Sequence, residues 1–244
     1  MRGLKTTGIM LALGMTSNGL AVESTKFSTS ASVDIASAYL IRGDTINRGP
    51  AIQPGLSISS SSGFTFGFWG NFNVEDQNDA SNEGEFGEID VFVEYELPLK
   101  SDVFSASIGA IEYTYPGAYN QELDTQSDRE IKLHTAVNTF ANPSVTLYYA
   151  LAGAIEEDLY GEIAISESVY SSKDVTLGVK AIAGYIDPKV GESGWRHGTI
   201  AITSQFKDIS ASINYIIETD KEVLELDDDE DEPIYMTVGT SYTF

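Results

Sequence analysis

The stretch I-Y-M-T-V-G-T-S-Y-T-F, residues 234–244, alternates along its whole length. Ile234, Met236, Val238, Thr240, Tyr242 and Phe244 fall on one side; Tyr235, Thr237, Gly239, Ser241 and Thr243 fall on the other. Successive side chains of a β-strand point to opposite faces, so this is a strand with one apolar face and one small, polar face. The polar face is the more informative. A soluble sandwich or barrel turns that face to bulk water and populates it with Lys and Glu. Hydroxyls and glycine suit a narrow enclosed space instead, with the apolar face in lipid.

Working outward, the pattern recurs. Ile209, Ala211, Ile213, Tyr215 and Ile217 oppose Ser210, Ser212 and Asn214; Val175, Leu177, Val179, Ala181 and Ala183 oppose Thr176, Gly178 and Lys180. Ile89, Val91, Val93, Tyr95 and Leu97 oppose Glu88, Asp90, Glu94 and Glu96, and Phe64, Phe66, Phe68 and Phe72 oppose Thr65, Gly67, Trp69 and Asn71. The apolar faces carry almost no charge, as a lipid face must, since Arg or Lys at mid-bilayer costs roughly 2–4 kcal/mol. Glu167 breaks the rule close to a strand end, where the cost falls. The segment 103–114 has no clean lipid face, and a bulge there is one reading.

Twelve alternating segments can be marked: 31–41, 51–59, 64–73, 87–97, 103–114, 130–140, 144–153, 158–170, 174–185, 198–206, 208–218 and 234–244. Their lengths match the roughly 9–11 residues that a tilted strand needs to cross a membrane. Short connections (60–63, 98–102, 141–143, 171–173 and Lys207) alternate with mostly long ones (42–50, 74–86, 115–129, 186–197 and 219–233); 154–157 is the brief exception. A transmembrane barrel keeps this rhythm because its periplasmic turns are tight and its external loops are not. The even strand count places both termini on the side of the short turns. The fold class expected is all-β: a transmembrane antiparallel up-and-down barrel of about 12 strands, following a cleaved signal peptide.

That leader is read from Arg2 and Lys5, the apolar run G-I-M-L-A-L-G-M at 8–15, and a small-x-small site at Gly19-Leu20-Ala21. The expected organisation is a signal peptide at 1–21 and a barrel at 22–244. The apolar run is too short to span a bilayer as a helix, and no later segment is apolar over 18 residues. The chain of 244 residues has no cysteine, which excludes disulfides, Cys-based zinc sites and cysteine nucleophiles. With 14 Lys and Arg against 37 Asp and Glu, net charge −23, nucleic acid is excluded as a partner, because phosphate binding needs basic residues.

The ending Y-T-F, with Tyr242 and Phe244 on the apolar face, resembles the terminal signal read by the outer-membrane barrel assembly machinery. Y-L-I-R-G at 39–43, P-A-I-Q-P-G-L at 50–56, S-G-F-T-F-G-F-W-G-N at 62–71 and G-E-I-D at 87–90 resemble, in order and spacing, the TorF-type porins of Proteobacteria. The resemblance is good over about 31–97 and thereafter rests on the strand pattern and the terminal Phe. The acidic insertion before the last strand has no counterpart in it. The resemblance to that family implies an outer-membrane barrel with a transport role.

The candidate lumen-lining residues are Glu88, Asp90, Glu94, Glu96, Lys132, His134 and Lys180. A ladder of carboxylates in a lumen attracts cations; the bland alternative is a salt-bridged interior with Lys132, Lys180 and Arg42 as partners. Arg42-Gly43-Asp44 spells an integrin-binding tripeptide in what should be the first external loop, but the motif shared with the TorF-type porins, where a strand ends in a turn, explains the Arg and Gly better. The block Asp227-Asp228-Asp229-Glu230-Asp231-Glu232 reads as a solvated external loop without the ligand spacing of a calcium site. His134 is expected to point inward beside Lys132 and His197 to sit in a loop beside Arg196; neither accompanies a hydrolase motif. The expectation is therefore no enzyme, no cofactor and no metal site. The protein is expected to be an outer-membrane channel for small solutes or cations, with the bilayer and the assembly machinery as partners. The alternative is a non-conducting barrel acting as an anchor or recognising partners through its acidic loops. The oligomeric state is left open.

Overall fold

The computed structural model describes residues 26–75, 83–116, 127–218 and 234–244. The expected leader 1–21 and the acidic block 227–232 lie outside the described residues.

The alternating segments become β1 (Phe27–Ala36), β2 (Tyr39–Ile41), β3 (Asp44–Asn47), β4 (Ala51–Ser60), β5 (Phe64–Asn73), β6 (Phe86–Glu96), β7 (Phe104–Thr114), β8 (Ser127–Val137), β9 (Ser144–Ala152), β10 (Leu159–Ser171), β11 (Val175–Asp187), β12 (Gly194–Phe206), β13 (Ile209–Glu218) and β14 (Ile234–Thr243). Among the described residues, β1 and β4 to β14 pair antiparallel, each with its sequence neighbour, and β1 closes on β14 to complete a twelve-stranded barrel. The closing register runs from Ser30 opposite Thr243 to Ala36 opposite Thr237. Closure satisfies every strand edge, which is what allows a sheet to sit in lipid.

The alternation turns its apolar face outward. Ile35, Phe66, Val91, Ile163, Ile202 and Val238 are each more than half exposed, while Asn71, Glu88, Glu130 and Lys132 on the opposite faces are buried. Apolar surface on this scale is what a bilayer-spanning barrel presents. The fold is a transmembrane up-and-down β-barrel. Among the described residues no helix is long and apolar enough to cross a membrane.

The short connections gather at one end and the long ones at the other. Lys207 turns the chain between β12 and β13 with a positive φ of 53°. Glu167, the exception on the lipid face, lies at the short-turn end, where its carboxylate accepts the Ala141 amide at 2.7 Å. That bond ties it to the 138–143 turn, away from the middle of the apolar band.

Three expectations are corrected. The first segment does not run to residue 41. β1 ends at Ala36, and β2 and β3 form a separate two-stranded sheet. Tyr39 and Arg42 find carboxylate partners inside the barrel, Glu88 and Glu130, that lipid could not offer. The segment at 103–114 carries no bulge: its pairing with both neighbours is continuous. Phe104 and Ile108 are exposed on the outer face, while Ile111 faces in and clusters with Phe92 and Tyr113. Finally, the connection expected at 186–197 shrinks, because β11 extends to Asp187 and β12 begins at Gly194. The extension is held by an edge-to-face contact of Tyr185 with Trp195, centroids 5.5 Å apart.

Candidate functional site

The interior is shaped by the β2–β3 hairpin, which folds inward rather than out. Tyr39 is 5% exposed, and its hydroxyl donates to Glu88 on the wall. Its ring lies 5.9 Å from that of Trp69. At the hairpin tip Arg42 (φ 53°) and Gly43 (φ 88°) adopt left-handed backbone. Gly43 is required there on space as well, since a Cβ would come within 2.5 Å of the His197 side chain.

Arg42 is the main anchor. Its Nη2 meets Glu130 Oε2 at 2.5 Å, and Glu130, 1% exposed, also accepts the Tyr113 hydroxyl at 2.8 Å. The guanidinium lies over the rings of Tyr160 and Tyr148, 4.4 and 4.9 Å from their centroids. Such stacking suits Arg, whose planar cation is weakly hydrated. Asp44, next along, pairs with Arg196 at 2.9 Å. The Arg-Gly-Asp tripeptide is thus committed to the interior and to Arg196. It is not displayed as an external adhesion loop.

Below the hairpin lies a cavity of about 380 Å³, lined among others by Tyr39, Arg42, Trp69, Asp90, Tyr148 and Glu162. Two glycines shape the wall. Gly67 faces Phe92 across β5 and β6, and the Phe92 ring fills the space a Cβ would take. Gly109 stands between Glu94 on β6 and Lys132 on β8, opposite both in register. With no side chain in the way, Lys132 reaches across β7 and forms a buried ion pair with Glu94.

Residues 21–243 match the profile of the family described as "Bacterial protein of unknown function (Gcw_chp)". The chain belongs to that family. No curated protein sequence matches it. Solved structures resemble it in fold. A membrane-protein structure from work described as "Unveiling the Mechanism Behind the in-meso Crystallization of Membrane Proteins" aligns with TM-score 0.51 at 10% identity, covering 89% of this chain and 84% of the other. The "KdgM porin" aligns with TM-score 0.49 at 16% identity, covering 89% and 99% respectively. A Salmonella typhi OmpF complex with daunomycin gives 0.41 at 8%, covering 90% and 97%.

In this Gcw_chp barrel, Glu88, Asp90, Lys132, His134 and Lys180 all line the cavity. Glu94 sits behind it in its pair with Lys132, and Glu96 faces the same side, half-buried, nearer the short turns. His134 bonds Thr146 through Nδ1 at 2.9 Å. His197 is not in a loop. It lies in β12, buried, with Nε2 2.8 Å from the Tyr160 hydroxyl. Tyr242 and Phe244 project outward, both exposed, with ring centroids 5.3 Å apart.

The cluster of Tyr113, Glu130, Tyr148, Tyr160 and Glu162 around Arg42 escaped sequence reasoning. Its signal was present: Asp128, Glu130, Lys132 and His134 share one phase of a strand, but a start at residue 130 left Asp128 in a loop. Among the described residues no group of three or more His, Asp or Glu is arranged to hold a metal ion.

Proposed function

We propose that the protein is an outer-membrane channel through which small solutes or ions diffuse passively, with a preference for cations. The observation that carries this reading is the charged cavity enclosed by the barrel wall and narrowed by the hairpin. Asp34, Glu88, Asp90 and Glu162 line the cavity beside the cations Arg42, Lys132 and Lys180, and two of those cations, Arg42 and Lys132, are each tied to a further carboxylate, Glu130 and Glu94. Fixed acids within low-dielectric walls focus their field and concentrate cations. The resemblance of 31–97 to TorF-type porins and the outward Tyr242 and Phe244 fit the same location.

One observation favours a second reading. Glu88, Glu130 and Arg196 hold the hairpin across the interior, and a barrel so closed would serve as a surface anchor or recognition protein. Planar-bilayer recording separates the two. Discrete conductance steps with a cation-selective reversal potential in a KCl gradient support the channel, and silence supports the anchor.

A further inference from the structure

Trp69 on β5 and Asp90 on β6 stand directly opposite each other in register, and both line the cavity beneath the hairpin. The Trp69 indole Nε1 and the Asp90 Oδ1 are buried, and neither has a hydrogen-bond partner among the described residues. Buried polar atoms normally find partners, because leaving one unmade forfeits the hydrogen bonds it had with water. The Asp90 carboxyl shares a hydrogen bond with Glu88, which leaves its Oδ1 as an unmatched acceptor beside the unmatched indole donor on the adjacent strand, with the Tyr39 ring 5.9 Å from that of Trp69.

Ligand chemistry follows from that pairing. An ammonium group answers Asp90 but not the indole N–H. A carboxylate or phosphate answers the indole but meets Asp90 and Glu88. A hydroxyl accepts from N–H and donates to a carboxylate, so two neighbouring hydroxyls on a carbon ring answer both while the ring's C–H face rests against the aromatic side chains. We propose that this cavity is a binding site for a neutral polyhydroxylated solute, a sugar or cyclic polyol, seated on Trp69 and Asp90. The site names the solute class for the same interior and rests on the channel reading in one respect, that solute reaches the cavity.

The test uses tryptophan fluorescence of the full barrel in detergent. The chain has two tryptophans, and Trp195 lies on the outer face, so Trp195→Phe leaves Trp69 as the reporter. D-glucose, maltose and myo-inositol are titrated, with tetramethylammonium chloride as the cationic comparison. A saturable emission change with at least one of the three, and none with tetramethylammonium, is expected. Asp90→Ala in the same background should weaken that response at least tenfold. Asp90→Asn, which keeps the side chain's volume, should weaken it less if the variant still shows heat-modifiable gel mobility. No saturable response to any of the three, or a response to tetramethylammonium alone, overturns the proposal. Bilayer recording on the same preparation separates the two readings. A conducting barrel without a sugar response loses the site and keeps the channel; a sugar response in a silent barrel keeps the site and loses the channel.

Discussion

Arg42 joins the hairpin to Glu130 and to two aromatic rings of the barrel wall. Removing it leaves Glu130 buried without its cation, and breaking a buried pair from one side costs about 3–5 kcal/mol. Arg42→Ala should therefore lower the temperature at which the folded barrel converts to the unfolded gel form, and Glu130→Gln in the same chain should recover part of the loss. Gly67→Ala should also destabilise, by about 1–3 kcal/mol, because its methyl group displaces the Phe92 ring; the same gel assay reads it. At this scale the sequence showed which residues face inward, since phase along a strand is local. Partnership was not legible. Glu94 meets Lys132 because Gly109 stands between them, a fact of register across three strands. Arg42 was foreseen as a possible interior cation, but its partner Glu130 is 88 residues away.

The strands themselves were legible within a few residues, because ten-residue alternation bounded by turns has little other reading. Misjudgements came where side chains chose a partner over the pattern. Tyr39 to Ile41 alternates well enough to extend β1, yet the chain turns in after Ala36. The hairpin's role can be tested as an element. Ala36 pairs directly with Ala51, so the chain can be closed there by a two-residue turn. Replacing 37–50 with Asn-Gly, a pair suited to tight hairpins, should leave an assembled, heat-modifiable barrel. Its single-channel conductance should rise several-fold over the parent in planar bilayers. An unchanged conductance would show that the hairpin does not set the narrowest point.

For the whole molecule, barrel closure and a lipid-facing outer surface followed from the sequence. The cavity did not, because twelve strands yield an interior between filled and open, and an inward loop decides which. Assembly and selectivity belong to this scale. Phe244 donates its amide to Thr29 at 2.8 Å, and its ring projects outward. Deleting it should reduce assembled barrel in outer-membrane fractions, read by the heat-modifiable band; an unchanged band would remove its role in assembly. Selectivity is tested by reversal potentials in a KCl gradient, with the parent cation-selective and Asp90→Asn combined with Glu162→Gln less so. The difference should be largest at low salt, where the Debye length is longest. The most direct test of the account is conductance of the purified parent beside the barrel closed at Ala36 and Ala51. Steps in both, larger in the latter, are what it predicts. Silence from both, with the folded form intact on gels, would contradict it.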